Sequence, residues 1–148
     1  MKKVLMAVAL ALLTVSLLAG CSGGYKDGTY KAEAADFEHG WKDYVVVEIA
    51  DGKAAIKEFD SLNEAGDKKS QNAEYRDAME PVTGTYPEKY TPEILASFEA
   101  AKGSTEKMDN ITGATNSTNS FKALVNAALE SAKKGDTATA VVSAASSK

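Results

Sequence analysis

Residues 44–59 read YVVVEIADGKAAIKEF, and this stretch predicts a β-hairpin. Residues 44–49 are rich in β-branched side chains, which favour extended strands. Asp51-Gly52 then supplies the two positive φ angles of a type I′ turn, and residues 53–59 form the predicted return strand. This hairpin sets the direction of two neighbouring strands and therefore the start of a sheet.

Alternating polarity predicts another strand upstream of the hairpin. Residues 28–34 place Tyr30, Ala32 and Ala34 on one face, between polar or charged neighbours. A period of two residues is typical of a strand with one buried face. The sheet is therefore expected to hold at least three strands.

The second half of the chain predicts helices. The first covers residues 67–79 and is ended by Pro81. The second begins with Thr91 as N-cap and Pro92 at the first helical position, and Gly103 stops it.

The last predicted helix has the clearest pattern. Lys133 and Lys134 precede Gly135, a typical helix C-terminus. Its apolar residues recur every three or four positions: Phe121, Leu124, Val125, Ala128, Leu129 and Ala132. Strands followed by helices predict an α+β domain, a small antiparallel sheet with packed helices.

The two ends of the chain are predicted to lie outside this domain. Residues 1–20 combine two lysines, an apolar run and small final residues, which is the layout of a signal peptide. The apolar run is shorter than the roughly 20 residues that span a bilayer, and no charged stop-transfer cluster follows it. Residues 136–148 are small and polar, and we expect a disordered tail there.

The end of the signal peptide, Leu18-Ala19-Gly20-Cys21, resembles the bacterial lipobox. That resemblance implies cleavage before Cys21 and lipid on its sulfur, so residues 21–26 become a lipidated tether to the bilayer. Residues 27–135 are then the folded domain.

Composition excludes several classes of function. The net charge is −4, and removal of two lysines with the signal peptide makes the chain more acidic, which argues against nucleic-acid binding. A single cysteine rules out a disulfide or CxxC pair within the chain. No cluster has metal-ligand spacing, and the one histidine, His39, argues against hydrolase chemistry.

Residues 109–118 read DNITGATNST, just upstream of the last helix. Four hydroxyl side chains and two asparagines surround Gly113-Ala114. The free N–H groups of a helix N-terminus bind anions, so this composition favours a phosphate or phosphate ester. The alternative is a helix cap with Thr115 or Ser117 at the N-cap position. The residues alone leave both interpretations open.

Residues 109–115 resemble the flavinylation motif of the FMN-binding domain family. That family includes flavin subunits of the sodium-pumping NADH:quinone reductase and many secreted redox lipoproteins. Its motif is an aspartate, two variable residues, serine or threonine, glycine, alanine, and the acceptor threonine or serine. Every fixed position matches: Asp109, Thr112, Gly113, Ala114 and Thr115. The resemblance implies FMN joined to the Thr115 hydroxyl as a phosphodiester, transferred from FAD by a flavin transferase.

The resemblance extends over most of residues 27–134. Residues 27–30 are similar to the family's opening strand, Gly40-Trp41 to its glycine-aromatic turn, and residues 45–53 to its central hairpin. It implies an FMN-binding-domain-like α+β fold.

Further cofactor contacts are expected around this motif. Thr112, Asn116 and Trp41 join the predicted cofactor-binding residues, with Trp41 able to stack on the flavin ring or to serve as a half-buried core aromatic. Asp109 is expected to serve recognition by the transferase or to be a solvated turn carboxylate.

The implied function is an extracytoplasmic, membrane-anchored electron carrier rather than a stand-alone enzyme. It would lie between a membrane redox donor and an extracytoplasmic acceptor, and a covalent link would keep the flavin from diffusing away. Two alternatives remain: a lipoprotein that binds FMN reversibly, and a cofactor-free surface antigen in which residues 109–118 only cap a helix.

Overall fold

The structure, a computed structural model, describes residues 24–143 and shows an α+β domain, as predicted. Within these residues the strands are β1 (Gly28–Ala34), β2 (Lys42–Ala50), β3 (Lys53–Leu62) and β4 (Ala140–Val142). The α-helices are α1 (Ala73–Thr83), α2 (Pro87–Ala100) and α3 (Thr115–Lys134). Single 3₁₀ turns form at Lys69–Gln71 and Thr105–Lys107. The predicted signal peptide (1–20), the predicted lipidation site Cys21 and the first residues of the predicted tether lie outside the described residues.

The strands form one sheet in the order β3-β2-β1-β4. β1, β2 and β3 pair antiparallel, as predicted, and the hairpin turn has φ of 52° at Asp51 and 71° at Gly52. Two positive φ angles are what a type I′ turn requires. The hairpin prediction is therefore confirmed.

The predicted disorder from residue 136 onward is wrong for Ala140–Val142. This segment pairs parallel with β1, which makes the sheet mixed, and the Ala35 N–H donates to the Val142 carbonyl at 2.8 Å. Val142 also packs partly against the core. Three residues are too few to show a periodic pattern, and the open edge of β1 supplies the partner that orders them.

Helix α3 covers the buried face of the sheet. Its predicted apolar stripe is buried throughout, and Gly135 ends the helix with a φ of 72°. The Phe121 ring lies edge-on to Phe59 of β3, with centroids 5.1 Å apart, and to Phe98 of α2 at 5.6 Å. The sheet side of this core consists of alternating strand residues: Tyr30, Ala32, Val45, Val47, Ile49 and Phe59.

The first predicted helix, over residues 67–79, is displaced. Helix α1 begins after Asn72, whose side-chain oxygen accepts the Tyr75 N–H at 2.8 Å, and it runs through Pro81 to Thr83. Pro81 falls in the last turn, where it removes one hydrogen bond, and Gly84 ends the helix with a φ of 72°. The sequence favoured the proline as the stop, but the asparagine cap and the glycine set the boundaries.

The second helix begins five residues before the predicted start. Pro87, not Pro92, occupies the first helical position, and Tyr86 is the N-cap with an extended backbone. Burial explains the earlier start, because Pro87, Tyr90, Ile94 and Phe98 form one buried face. That face lies along three turns, so packing outweighs the loss of a backbone hydrogen bond at Pro92.

Candidate functional site

The segment predicted to carry the cofactor is a loop that ends in the first turn of α3. Thr115 is the first helical residue and is exposed, while Ala114 is the N-cap and is buried. No side chain caps the helix, and its first turn holds no acidic residue. The prediction of Thr115 or Ser117 as a capping residue is therefore wrong. The first N–H groups of a 20-residue helix remain for an acceptor outside it.

A buried hydroxyl holds this loop in place. Thr118 is fully buried, and its Oγ1 donates to the Ala114 carbonyl at 2.8 Å. The same oxygen accepts the Ile111 N–H at 3.4 Å, and the Ala114 N–H returns to the Ile111 carbonyl at 2.9 Å. Thr118 therefore fixes the backbone on both sides of Gly113. No role was predicted for Thr118, because burial of a helix hydroxyl is visible only in the fold.

Gly113 lies directly against the turn between α1 and α2. Its φ is 79°, and a Cβ on this residue would come 2.7 Å from the Thr83 carbonyl oxygen and 3.0 Å from Thr85 Cγ2. Real side chains do not approach backbone oxygen that closely, and positive φ disfavours them further. Glycine is therefore required by close packing of the loop on the α1–α2 turn.

Thr85 contributes a polar group that has no partner among residues 24–143. Its side chain is 4% exposed, and Oγ1 forms no hydrogen bond among the described residues. An unsatisfied buried hydroxyl costs about 1–3 kcal/mol and calls for an explanation such as a bound group. Its contact with Gly113 places this hydroxyl beside the loop. No sequence pattern marks Thr85, since its importance comes from the loop packing on it.

The remaining motif residues face solvent. Thr112, Asn116 and Asp109 are exposed, and Ser97 Oγ donates to the Asp109 backbone carbonyl at 3.3 Å. Lys122 Nζ supports the same loop by donating to the Met108 carbonyl at 3.1 Å and to Asn110 Oδ1 at 3.2 Å. The Asp109 carboxylate is thus accessible, which suits either predicted role.

Tyr90 of α2 lies beneath the first turn of α3. Its side chain is 3% exposed, and burial raises the pKa of the phenol, an effect that a hydrogen bond with Ser117 partly opposes. The phenol therefore stays protonated at neutral pH. Its hydrogen bond with Ser117 joins α2 to the start of α3.

Trp41 contacts a different part of the same region. Its ring lies edge-on to Tyr75 of α1, with centroids 5.8 Å apart, and the Lys69 Nζ is 5.8 Å from the Trp41 centroid. Helix α1 connects this cluster to the motif, because its last residue, Thr83, touches Gly113. The structure thus brings Trp41 to the far end of α1 rather than onto the loop. Sequence reasoning missed Tyr75 and Lys69.

Other kinds of site find no support in the part of the chain that the structure describes. Residues 24–143 contain no group of three or more histidine, cysteine or acidic side chains that could hold a metal ion. Across the same range, no helix combines the length and apolar character that crossing a membrane requires.

Comparison with known proteins shows which family this chain belongs to. The sequence profile of the FMN-binding domain matches residues 40–130, which include the hairpin, Trp41 and the motif. The chain belongs to the FMN-binding domain family. It is 41% identical over 128 residues to the "15 kDa lipoprotein" of Treponema pallidum, a match that covers 85% of this chain and 90% of that protein. The FMN-binding assignment made from the motif is therefore confirmed at the level of the family.

A solved structure supports the fold of this FMN-binding domain. The crystal structure of the CPE2226 protein from Clostridium perfringens superposes with a TM-score of 0.73 at 33% identity. The similarity covers 80% of this chain and 98% of that protein.

The residues around the motif fit an FMN phosphate. The uncapped start of α3 provides N–H groups and the positive end of a helix dipole, and Thr85 Oγ1 is a buried hydroxyl without a partner. Because Gly113 has no side chain, the loop can lie directly against the α1–α2 turn. The predicted acceptor, Thr115, stands at the mouth of this arrangement with its side chain exposed.

Proposed function

We propose that this protein is an extracytoplasmic, membrane-anchored flavoprotein that carries FMN by a phosphodiester on Thr115 and passes electrons. The observation that carries the proposal is the state of Thr115: an exposed hydroxyl on the first residue of an uncapped, 20-residue helix. A capping threonine would have its oxygen occupied by a backbone N–H. Here the N-cap is Ala114, so the Thr115 hydroxyl is available for a transferase.

The covalent step would exchange a phosphoanhydride bond of FAD for a phosphate ester bond to Thr115. Thr115 Oγ1 bonds to the FMN phosphorus of FAD, the pyrophosphate bond to AMP breaks, and AMP leaves as the hydroxyl proton is released. A flavin transferase supplies FAD and catalysis, and the exposed Asp109 offers it a carboxylate to recognise. The gain in mass equals FMN minus one water.

The chain's own residues would then hold the product. The α3 N-terminus stabilises the remaining phosphate charge, worth about 0.3–1 kcal/mol at an exposed site. Thr85 Oγ1 can donate to a phosphate or ribityl oxygen, which satisfies its missing hydrogen bond. The bound flavin supplies the redox chemistry, and the protein supplies position and electrostatics.

Membrane attachment is proposed from the start of the chain. Leu18-Ala19-Gly20-Cys21 matches a lipobox, and the Treponema pallidum relative carries the name lipoprotein. Two or more acyl chains on Cys21 would give stable anchoring, since a single chain binds a bilayer only marginally. A membrane redox donor and an extracytoplasmic acceptor would be the partners of a carrier held in this position.

Intact-protein mass spectrometry after co-expression with a flavin transferase tests the proposal. The mature chain should gain FMN minus one water, Thr115→Val should lose that gain, and Thr115→Ser should keep it because the hydroxyl is retained. Flavin that dialysis removes from wild type would indicate a reversible FMN-binding lipoprotein instead. A colourless, unmodified wild type would leave only a surface antigen without a cofactor.

Reversible reduction tests the electron-carrier part. The loaded wild-type protein should be bleached by dithionite and should recover its absorbance on addition of an oxidant. Flavin that stays oxidised under these conditions would contradict a carrier role.

A further inference from the structure

Helix α1 has an apolar face that the protein core does not cover. None of its eleven residues is buried, although a helix in a folded domain normally buries such a face. The side chains that share this face line an open groove: Tyr75, Ala78, Met79, Val82 and Thr83. Val82 is 82% exposed, and Met79 is the residue of α1 that packs partly against the core.

The two ends of this groove have different chemistry. At one end, the Thr83 carbonyl touches Gly113, two residues before Thr115. At the other end, Tyr75 meets Trp41 and the ammonium of Lys69, which is 4.4 Å from the Tyr75 ring centroid. The α1 backbone between Tyr75 and Thr83 spans about 12 Å at 1.5 Å per residue. A group attached at Thr115 by a five-carbon ribityl chain can extend along such a groove.

Lys69 brings a positive charge that pairs with no carboxylate in the part of the chain that the structure describes. Among residues 24–143, the ion pairs include its neighbour Lys68, bonded to Glu58, but none includes Lys69. Two aromatic rings hold its ammonium instead, Tyr75 and Trp41. A cation held this way remains available to interact with an anion in the groove.

We infer that the isoalloxazine ring lies in the α1 groove against Tyr75 and Met79, with the Lys69 ammonium beside it as the residue that sets its reduction potential. The inference rests on the proposed function, since it needs flavin on Thr115. The groove suits the ring because its wall is apolar and aromatic, and Lys69 suits the negative charge that a reduced flavin carries at N1. Lys69 acts on the electronics of the ring and makes no bond to it.

The reduction potential of the loaded protein tests the role of Lys69. Lys69→Met should make the midpoint potential more negative by about 30 mV or more, a tenfold change in the two-electron equilibrium constant. The shift has this sign because loss of a positive charge disfavours the anionic reduced form. The double variant Glu58→Gln/Lys68→Met is the control: it removes both members of a neighbouring ion pair and leaves the net charge unchanged, so the potential should stay at the wild-type value.

Flavin fluorescence tests the position of the ring. Tyr75→Leu should raise the fluorescence of covalently bound flavin severalfold, because an electron-rich ring in contact with isoalloxazine quenches its emission. Leu95→Ala, on α2 and away from the groove, should leave the emission unchanged.

The inference requires both the shift in reduction potential for Lys69→Met and the rise in fluorescence for Tyr75→Leu. Loaded protein of the correct mass in which either Lys69→Met or Tyr75→Leu behaves as wild type would overturn the inference and leave the proposed function intact. Wild-type protein that carries no flavin would overturn the proposed function itself.

Discussion

Gly113 lies against the Thr83 carbonyl oxygen so closely that a Cβ on the glycine would come 2.7 Å from it. This contact joins the cofactor motif to helix α1 and to the buried Thr85 hydroxyl. The motif is therefore positioned by tertiary packing as well as by the helix that follows it.

Replacement of Gly113 by alanine should destabilise the domain by about 2 kcal/mol or more, because positive φ alone costs roughly 1–2 kcal/mol and the clash adds to it. Gly66→Ala is the control, since Gly66 has a φ of 87° and no atom near its added Cβ. Urea unfolding of both variants separates the cost of the positive φ angle from the cost of the clash. Equal losses would show that Gly113 does not pack tightly against Thr83.

Thr118→Val should lower the free energy of unfolding by about 1–3 kcal/mol, because it leaves the part-buried Ile111 N–H without its acceptor. Thr115→Val should stay within about 0.5 kcal/mol, as expected for an exposed side chain that caps nothing. Thermal unfolding of the flavin-free protein measures both. A large loss for Thr115→Val would indicate that its hydroxyl has a structural role after all.

Thr85→Val should stabilise the flavin-free domain by about 1 kcal/mol, because it removes a buried hydroxyl that has no partner among the described residues. The same change should weaken binding of free FMN several-fold, measured by fluorescence titration of Thr115→Val protein against the Thr85→Val/Thr115→Val double variant. Unchanged affinity would argue that the Thr85 hydroxyl does not face the cofactor.

Glu58, on the outer face of the sheet, is expected to contribute to the loss of stability at low pH. Lys68 first, and then the Tyr44 hydroxyl at 2.7 Å, hold the pKa of Glu58 below its ordinary value of 4.5. A lowered folded-state pKa means that this carboxylate stabilises the protein above pH 4.5, and that the stabilisation is lost as the pH falls through the folded pKa.

Glu58→Gln should therefore lower stability at pH 7 by less than about 1 kcal/mol, since the pair is more than one-third exposed. At pH 3 the difference from wild type should shrink, as measured by urea unfolding at both pH values. A difference that grows on acidification would give the wrong sign for this carboxylate.

The helix boundaries show where local sequence patterns reach their limit. The hairpin and α3 were predictable because each carries a strong period and its own turn or cap residues, Asp51-Gly52 and Gly135. The Asn72 cap of α1 is a local signal that the prediction did not use, whereas the start of α2 was not predictable, since burial of one helix face selects Pro87 over Pro92. The same holds for β4, which exists because β1 has a free edge.

Sequence by itself determined the α+β class, the central hairpin, the last helix and the family motif around Thr115, because these depend on neighbours along the chain. Only the tertiary structure decided that Thr115 is an uncapped, exposed first helical residue and that Gly113 packs on the α1–α2 turn. It also decided that Thr85 is buried with no hydrogen-bond partner within residues 24–143, and that Lys69 lies against Tyr75 and Trp41. The physical reason is that burial and contact between distant segments depend on how helices dock on the sheet, and no local period encodes that docking.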